Sequence, residues 1–145
     1  MTQGWQCSSS LLLTTLLVSS GVVTGCGDRQ AAVAQQLIGR WQCTTQTVTY
    51  NDGKTEKQDV AWSLAFFADG SYLSVDTGAT SWGKYTVTDL HHYTYQITQA
   101  DKAEQIGLAG TNGMRVTRET LTLVIPARGK ETKTVKDIET TCERQ

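Results

Sequence analysis

Hydrophobic residues follow two different patterns along the chain. Residues 11–18 form an apolar block interrupted only by two threonines, whereas bulky apolar residues after residue 38 alternate with smaller or polar ones. The clearest alternation is Val60, Trp62, Leu64 and Phe66. Because successive side chains of a strand point to opposite faces, a period of two predicts a strand with one face on a core. An all-β domain is therefore predicted after the first apolar block.

Strand and turn signals predict about eight short strands in this domain. The readable ones are 38–50, 60–66, 72–75, 81–88, 93–97, 121–126 and 133–143. Asn51-Asp52-Gly53 and Asp69-Gly70 are typical of tight turns between them. Residues 99–113 mix a weak helical spacing with three glycines, which predicts an irregular segment or a short strand. Short strands joined by hairpin turns favour an antiparallel barrel or sandwich.

The segment before the first strand, residues 26–36, has no strand pattern. We expect it to be a tether with at most one helical turn, which leads into a domain at 37–145. Residues 1–25 contain no Asp, Glu, Lys, Arg or His, and their apolar stretch is shorter than the ~20 residues of a membrane-spanning helix. This composition predicts a signal peptide.

The residues at the end of this predicted signal are Val23-Thr24-Gly25-Cys26. Small residues before a cysteine suit cleavage by a signal peptidase, and a thiol is the nucleophile to which a lipid is attached. The motif resembles the lipobox of bacterial lipoproteins, although no Lys or Arg precedes the apolar block as that family expects. The resemblance implies that Cys26 carries a lipid and attaches the chain to a membrane.

Two cysteines, Cys43 and Cys142, then lie in an exported domain. A cysteine near each end of a small exported domain favours a disulfide between the first and last strands, and the alternative is a pair of free, buried thiols. A disulfide there would favour a closed barrel over a sheet with open edges.

Composition and motifs exclude several classes of function. Charged residues make up 19% of the chain and the formal net charge is -1, so nucleic acid is not an expected partner. The adjacent His91 and His92 would point to opposite faces of a strand, which argues against a shared metal. No common catalytic or phosphate-binding motif is present. We therefore expect neither an enzyme nor a cofactor.

Several short motifs occur in an order that suggests a family. They are Gly39-Arg40-Trp41, Phe67-Ala68-Asp69-Gly70-Ser71-Tyr72, Trp82-Gly83-Lys84-Tyr85 and the strand at 120–123. This order resembles the lipocalin-like domains of small bacterial lipoproteins. The resemblance implies an up-and-down barrel with Trp41 across one end and an interior that takes an apolar small molecule.

The candidate ligand residues are the bulky inward ones: Trp41, Trp62, Leu64, Phe66 and Trp82. A barrel of about eight strands is either filled by its own side chains or holds one small ligand, and both alternatives stay open. The expected function is a lipid-anchored envelope protein, on the outer membrane facing the periplasm, that binds a small apolar molecule. The alternative is a protein-binding envelope module, such as an assembly factor or an inhibitor resembling the small lysozyme-inhibitor lipoproteins.

Overall fold

A computed structural model describes residues 25–128 and 133–145. All of the predicted signal peptide except Gly25 lies outside the described residues. The described elements are α1 (Cys26–Leu37), β1 (Gly39–Tyr50), β2 (Thr55–Phe66), β3 (Ser71–Asp76), β4 (Ala79–Val87), β5 (His92–Ala100), β6 (Ala109–Val116), β7 (Thr120–Pro126) and β8 (Val135–Arg144). A short 3-10 turn at Ala103–Gln105 lies between β5 and β6.

The strands form one closed antiparallel barrel. Each strand pairs with the next along the chain, and β8 returns to pair with β1. Cys43 lies opposite Cys142 in this last pairing, and the two are joined by a disulfide. Because the ladder closes on itself, every strand has a partner on both sides, although residues 55–62 of β2 extend past β3 and pair with β1 alone. The predictions of an all-β up-and-down barrel and of the disulfide are confirmed.

The core fills the end of the barrel at which α1 lies, which we call the base. Its fully buried side chains come from α1 and from the inward faces of five strands: Leu37, Trp41, Cys43, Phe66, Met114, Leu121, Leu123, Thr140 and Cys142. Full burial of one large apolar side chain contributes about 1.5–3 kcal/mol. Core, sheet and disulfide all lie within the chain from Cys26 onward, so that part contains what the fold requires.

The N-terminal segment differs from its prediction. Residues 26–37 form about three turns of helix instead of a tether with a single turn. Val33, Ala34 and Leu37 lie on one side of α1 and pack against the core, and the Gln30 Nε2 amide donates a 2.8 Å hydrogen bond to the Val87 carbonyl. The prediction was wrong because the other residues of this segment include several Ala and Gln. These residues have good helix propensity, but they do not extend the apolar side into a stripe that the sequence would reveal. Among the described residues, no helix is long and apolar enough to span a membrane.

The segment predicted as irregular or as a short strand leads into the eight-residue strand β6, Ala109–Val116. Its inward residues Asn112 and Met114 are buried. Gly110 was taken as a loop signal, yet a Cβ there would lie 2.7 Å from the Arg128 guanidinium. This glycine therefore marks a close approach inside a strand.

Arg144 fastens α1 to the base. Its guanidinium lies 4.1 Å from the centre of the Trp41 ring and donates hydrogen bonds to the carbonyls of Gln36 and Ile38 at the end of α1. It also donates to the carbonyl of Arg118 in the β6–β7 turn. The opposite end of the barrel, which we call the mouth, is surrounded by the turn 51–54 and by Ala127 and Arg128.

Candidate functional site

The barrel encloses a cavity of about 170 Å³ between the core and the mouth. Its lining residues come from six strands: Trp62, Leu64, Tyr72, Ser74, Ser81, Tyr93, Tyr95, Ile97, Asn112, Leu123 and Ile125. Larger depressions exist, including one of about 530 Å³ beside His92 and Lys136, but they lie on the outside of the barrel. The lumenal cavity is therefore the candidate site, because it lies inside the barrel and its lining has convergent polar groups.

The cavity exists because two inward positions carry small side chains. Ser74 on β3 pairs with Leu64 on β2 and with Ser81 on β4, so one row across three strands has a single bulky member. Protein interiors are close-packed, and small residues at facing positions leave volume that their neighbours do not fill. The base half of the lumen is packed and the mouth half is open.

Aromatic rings form the floor and one wall of this cavity. The Phe66 ring lies below the tyrosines, with its centre 5.0 Å from that of Tyr85 and 5.5 Å from that of Tyr93, both edge to face. Tyr72 and Tyr95 also meet edge to face, with ring centres 6.1 Å apart. Such pairs prefer these geometries, so the wall is expected to be rigid.

A chain of hydrogen bonds leads from the mouth into the cavity. The Arg128 Nη2 group donates to Asn112 Oδ1 at 3.2 Å, and Asn112 Nδ2 donates to the Tyr93 hydroxyl at 3.0 Å. The Arg128 guanidinium also lies 5.0 Å from the centre of the Tyr95 ring. Since a guanidinium only donates, it fixes which end of the Asn112 amide is the oxygen. The cationic group at the mouth is thus coupled to a buried hydroxyl.

Burial keeps the tyrosine hydroxyls protonated. Desolvation raises the pKa of Tyr72 to about 12, with a further contribution from the neighbouring Tyr93. Desolvation likewise raises the pKa of Tyr93 to about 12, against the lowering effects of Asn112 and Arg128. At neutral pH both groups are therefore hydrogen-bond donors facing a partly apolar cavity.

The predicted ligand residues occupy three different environments. Trp62 and Leu64 line the cavity. Trp41 and Phe66 are fully buried in the core, and Trp41 donates a 2.9 Å hydrogen bond from Nε1 to the Leu37 carbonyl. Trp82 lies on the outside of the barrel and is 43% exposed. The structure therefore brings together two of the five within the cavity lining.

The prediction that Trp82 fills the barrel interior is wrong. Gly83 takes the buried inward position of β4 instead, where the Tyr72 ring and the Gln96 carbonyl leave no room for a Cβ. An irregularity between Trp82 and Gly83 also shifts the pairing of β4 with β5. The inward residues of β4 still keep a period of two, as Ser81, Gly83, Tyr85 and Val87, so Trp82 lies on the outward face by simple alternation.

Trp82 belongs to an apolar patch on the outer surface. Leu73 pairs with both Ala65 and Trp82 across three strands, and the nearby Phe67 and Val75 are 36% and 39% exposed. We call these five residues the outer patch. Exposed apolar groups that adjoin one another are typical of contact surfaces.

The two histidines lie in the β4–β5 connection and at the start of β5. The Nδ1 atom of His92 lies 2.9 Å from Asp89 Oδ1, and both side chains are more than half exposed. The backbone N–H of His91 donates to the same carboxylate and is the main cause of a lowered Asp89 pKa. Within residues 25–128 and 133–145, no group of three His, Cys, Asp or Glu side chains has the arrangement of a metal site.

Most of the polar cavity residues were missed by the sequence analysis. Tyr93 and Tyr95 were recognised as strand residues, and their shared inward face was the available signal for a polar wall. Arg128 gave no signal, because it follows the last residue of β7 and reaches Asn112 only through the fold.

Comparison with known proteins does not assign this chain to a family. No protein-family model matches the chain, and no curated protein matches its sequence.

Proposed function

We propose that this chain is a binding protein of the bacterial cell envelope whose barrel lumen holds a small apolar or amphipathic molecule. The observation that carries the proposal is the lumenal cavity, with Trp62, Leu64 and Ile97 among its apolar walls and Tyr93, Tyr95 and Asn112 among its polar ones. Closed barrels of this size are known to hold one small ligand. The lipocalin-like order of motifs supports the same function.

The size of the cavity limits the ligand. An enclosed apolar cavity of about 150 Å³ accommodates benzene. At about 170 Å³, the lumen has room for one small ring or a short alkyl chain. Larger molecules would have to leave part of their surface outside the mouth.

The location belongs to the same proposal. We propose that lipid on Cys26 attaches the protein to the outer membrane, on the side that faces the periplasm. The disulfide between Cys43 and Cys142 supports export, because such bonds persist in oxidising compartments. Cys26 begins α1 and α1 packs on the base, so an anchor there would leave the mouth on the far side of the barrel from the lipid.

The binding proposal is tested on residues 26–145 carrying Cys26→Ser. Native mass spectrometry reports any molecule that co-purifies, and calorimetry measures binding of the neutral probe 3-phenylpropan-1-ol. Ser74→Leu fills the cavity, whereas Thr86→Leu makes a similar change on the exposed outer face of β4. We expect Ser74→Leu to weaken probe binding at least about tenfold, which corresponds to about 1.4 kcal/mol, and Thr86→Leu to leave it unchanged.

Two results would contradict this binding proposal. One is that the unsubstituted protein neither retains a co-purified molecule nor binds the probe. The other is equal weakening by both leucine substitutions, because binding would then not take place in the lumen. Circular dichroism of both variants checks that the barrel is intact.

The anchor is tested separately in cells by labelling with radioactive palmitate. We expect label in the full chain and in the Cys43→Ala variant, and none in the Cys26→Ala variant. Label retained without Cys26 would show that the lipobox interpretation is wrong.

A second candidate function is a protein-binding envelope module, and the outer patch favours it. Trp82 and Val75 offer exposed apolar surface that a lumenal ligand would not use. Cross-linking in whole cells distinguishes the two functions: a partner lost on Trp82→Lys and retained in Ser74→Leu would favour the protein-binding module.

A further inference from the structure

We infer that the lumen selects an amphipathic anion, whose apolar part lies among Trp62, Leu64 and Ile97 and whose carboxylate or similar group lies beside Arg128. This inference rests on the proposed function, since it assigns the chemistry of the ligand in the same cavity. Four observations carry it: the direction of the hydrogen bonds, the balance of donors and acceptors, the charge of Arg128 at the mouth and the apolar walls.

The hydrogen-bond chain runs in one direction. Arg128 donates to Asn112, and Asn112 donates to the oxygen of Tyr93. The hydroxyl hydrogen of Tyr93 is therefore not used in these two hydrogen bonds. A hydroxyl that accepts one bond from an amide still has its own hydrogen to donate. The Tyr93 hydroxyl therefore remains a hydrogen-bond donor that faces the cavity.

Neighbouring tyrosine hydroxyls supply further hydrogen-bond donors. Tyr72 and Tyr95 line the same cavity as Tyr93, and Tyr93 lies near enough to Tyr72 to contribute to its raised pKa. Burial raises the pKa values of Tyr72 and Tyr93 to about 12, so these groups do not become anions at neutral pH. These hydroxyls can donate to a ligand acceptor, and the Arg128 guanidinium, which only donates, favours a ligand that brings acceptors.

Arg128 places a positive charge at the mouth. Within the described part of the chain, the ion pairs join Lys54 to Asp52, His92 to Asp89 and Arg115 to Glu139, so none of them involves Arg128. The guanidinium contacts an amide oxygen and an aromatic ring, both of which are neutral. Planar guanidinium groups bind carboxylates through strong, charge-assisted hydrogen bonds. An anion is therefore the ligand group that fits this end.

The apolar end accounts for the other half of the ligand. Trp62, Leu64 and Ile97 form apolar walls of the cavity, and Leu123 and Ile125 close one side. Inorganic anions would leave this surface in contact with water, whereas a ring or short chain would cover it. The complete site thus fits a small molecule with one apolar and one anionic end.

Three probes of the same shape test the inference on residues 26–145 carrying Cys26→Ser. They are 3-phenylpropanoate, 3-phenylpropan-1-ol and 3-phenylpropan-1-amine, which at neutral pH end in an anion, a neutral group and a cation. Calorimetry measures each affinity. We expect the anion to bind about tenfold or more tightly than the alcohol, since hydrogen bonds to charged groups are the stronger ones, and the cation to bind least.

Substitutions test whether Arg128 is the cause of the preference for the anion. Arg128→Met keeps an apolar stem and removes the charge, and we expect it to weaken anion binding about tenfold while leaving alcohol binding unchanged. Arg118→Met is the matched control, because Arg118 is exposed in the β6–β7 turn at the base and only its backbone carbonyl is used by Arg144. Tyr93→Phe removes the donor at the end of the chain and should weaken the anion more than the alcohol.

The possible results separate this inference from the proposed function. Equal affinities for anion and alcohol, unchanged by Arg128→Met, would overturn the inference and leave lumenal binding standing. Loss of anion binding in both Arg128→Met and Arg118→Met would overturn it as well, because the effect would then be a general one of net charge. Failure of all three probes to bind, together with the absence of any co-purified molecule, would overturn the proposed function itself.

Discussion

The cavity depends on a few residues whose size and polarity differ from those of their neighbours. Ser74 and Ser81 are small where other inward positions are bulky, and Asn112 is a buried polar group among apolar ones. Asn112 is satisfied on both sides, by Arg128 and by Tyr93. A buried polar group that lost such a partner would be destabilising, so these residues are expected to act as one unit.

The buried tyrosines give a prediction for stability at high pH. The pKa values of Tyr72 and Tyr93 are raised from 10.0 to about 12 in the folded protein. The folded state therefore holds these protons more tightly than the unfolded state. Their contribution to stability is fully present below pH 10 and is lost as pH rises towards 12.

Urea unfolding from about pH 8 to about pH 11 measures this effect. We expect the free energy of unfolding to fall above about pH 10, and to fall less steeply in the double variant Tyr72→Phe and Tyr93→Phe. Below about pH 9 the two curves should run parallel, which serves as the internal control. Identical slopes at high pH would contradict the prediction.

Among the elements, α1 has the least regular attachment to the barrel. It does not join the sheet, and its contacts are a few apolar side chains, the Gln30 hydrogen bond and the carbonyls held by Arg144. Arg144 thus satisfies carbonyls at the end of the helix that have no partner within it. If lipid is attached to Cys26, these contacts also hold the barrel in a fixed orientation relative to the anchor.

Removing the Arg144 contacts should loosen the base. We expect Arg144→Met to lower the free energy of unfolding by about 2–3 kcal/mol, because it removes charged hydrogen bonds and the contact with the Trp41 ring. Hydrogen exchange in α1 should increase in the same variant. The control is Arg115→Met, whose exposed ion pair with Glu139 should be worth no more than about 1 kcal/mol. Equal effects of the two substitutions would contradict this role of Arg144.

At the scale of the whole molecule, the fold depends on closure of the barrel. The β1–β8 pairing joins the two ends of the sheet, and the disulfide makes that seam covalent. Contacts between strands so distant along the chain are slow to form, because a long loop must close first. The disulfide therefore stabilises the pairing with the largest loop to close.

Loss of the disulfide gives a prediction for the whole barrel. Its cysteines are 99 residues apart, and in the chain-entropy model a loop of this length is worth about 4 to 5 kcal/mol. We expect Cys43→Ala with Cys142→Ala to lower the free energy of unfolding by about this amount in urea. Reduction of the unsubstituted protein should reproduce the loss. A change below about 1 kcal/mol would show that the sheet closes without the bond.

The sequence by itself determined the all-β class, most of the strands and the cysteine pair. These features follow from local rules, since a period of two, as at Val60 to Phe66, and turn residues such as Asp69-Gly70 act over a few positions. The lipid attachment predicted at Cys26 is also local, and it stays a prediction.

Only the tertiary structure decided which side chains share the cavity. Trp82 lies outward because Gly83 and Val87 take the buried positions of β4, and residues 26–37 form a helix because the base offers a surface for Leu37. Arg128 reached Asn112 from a neighbouring segment of the barrel. The face of a residue and its distant contacts depend on register and packing, which sum over many strands and leave no local pattern in the sequence.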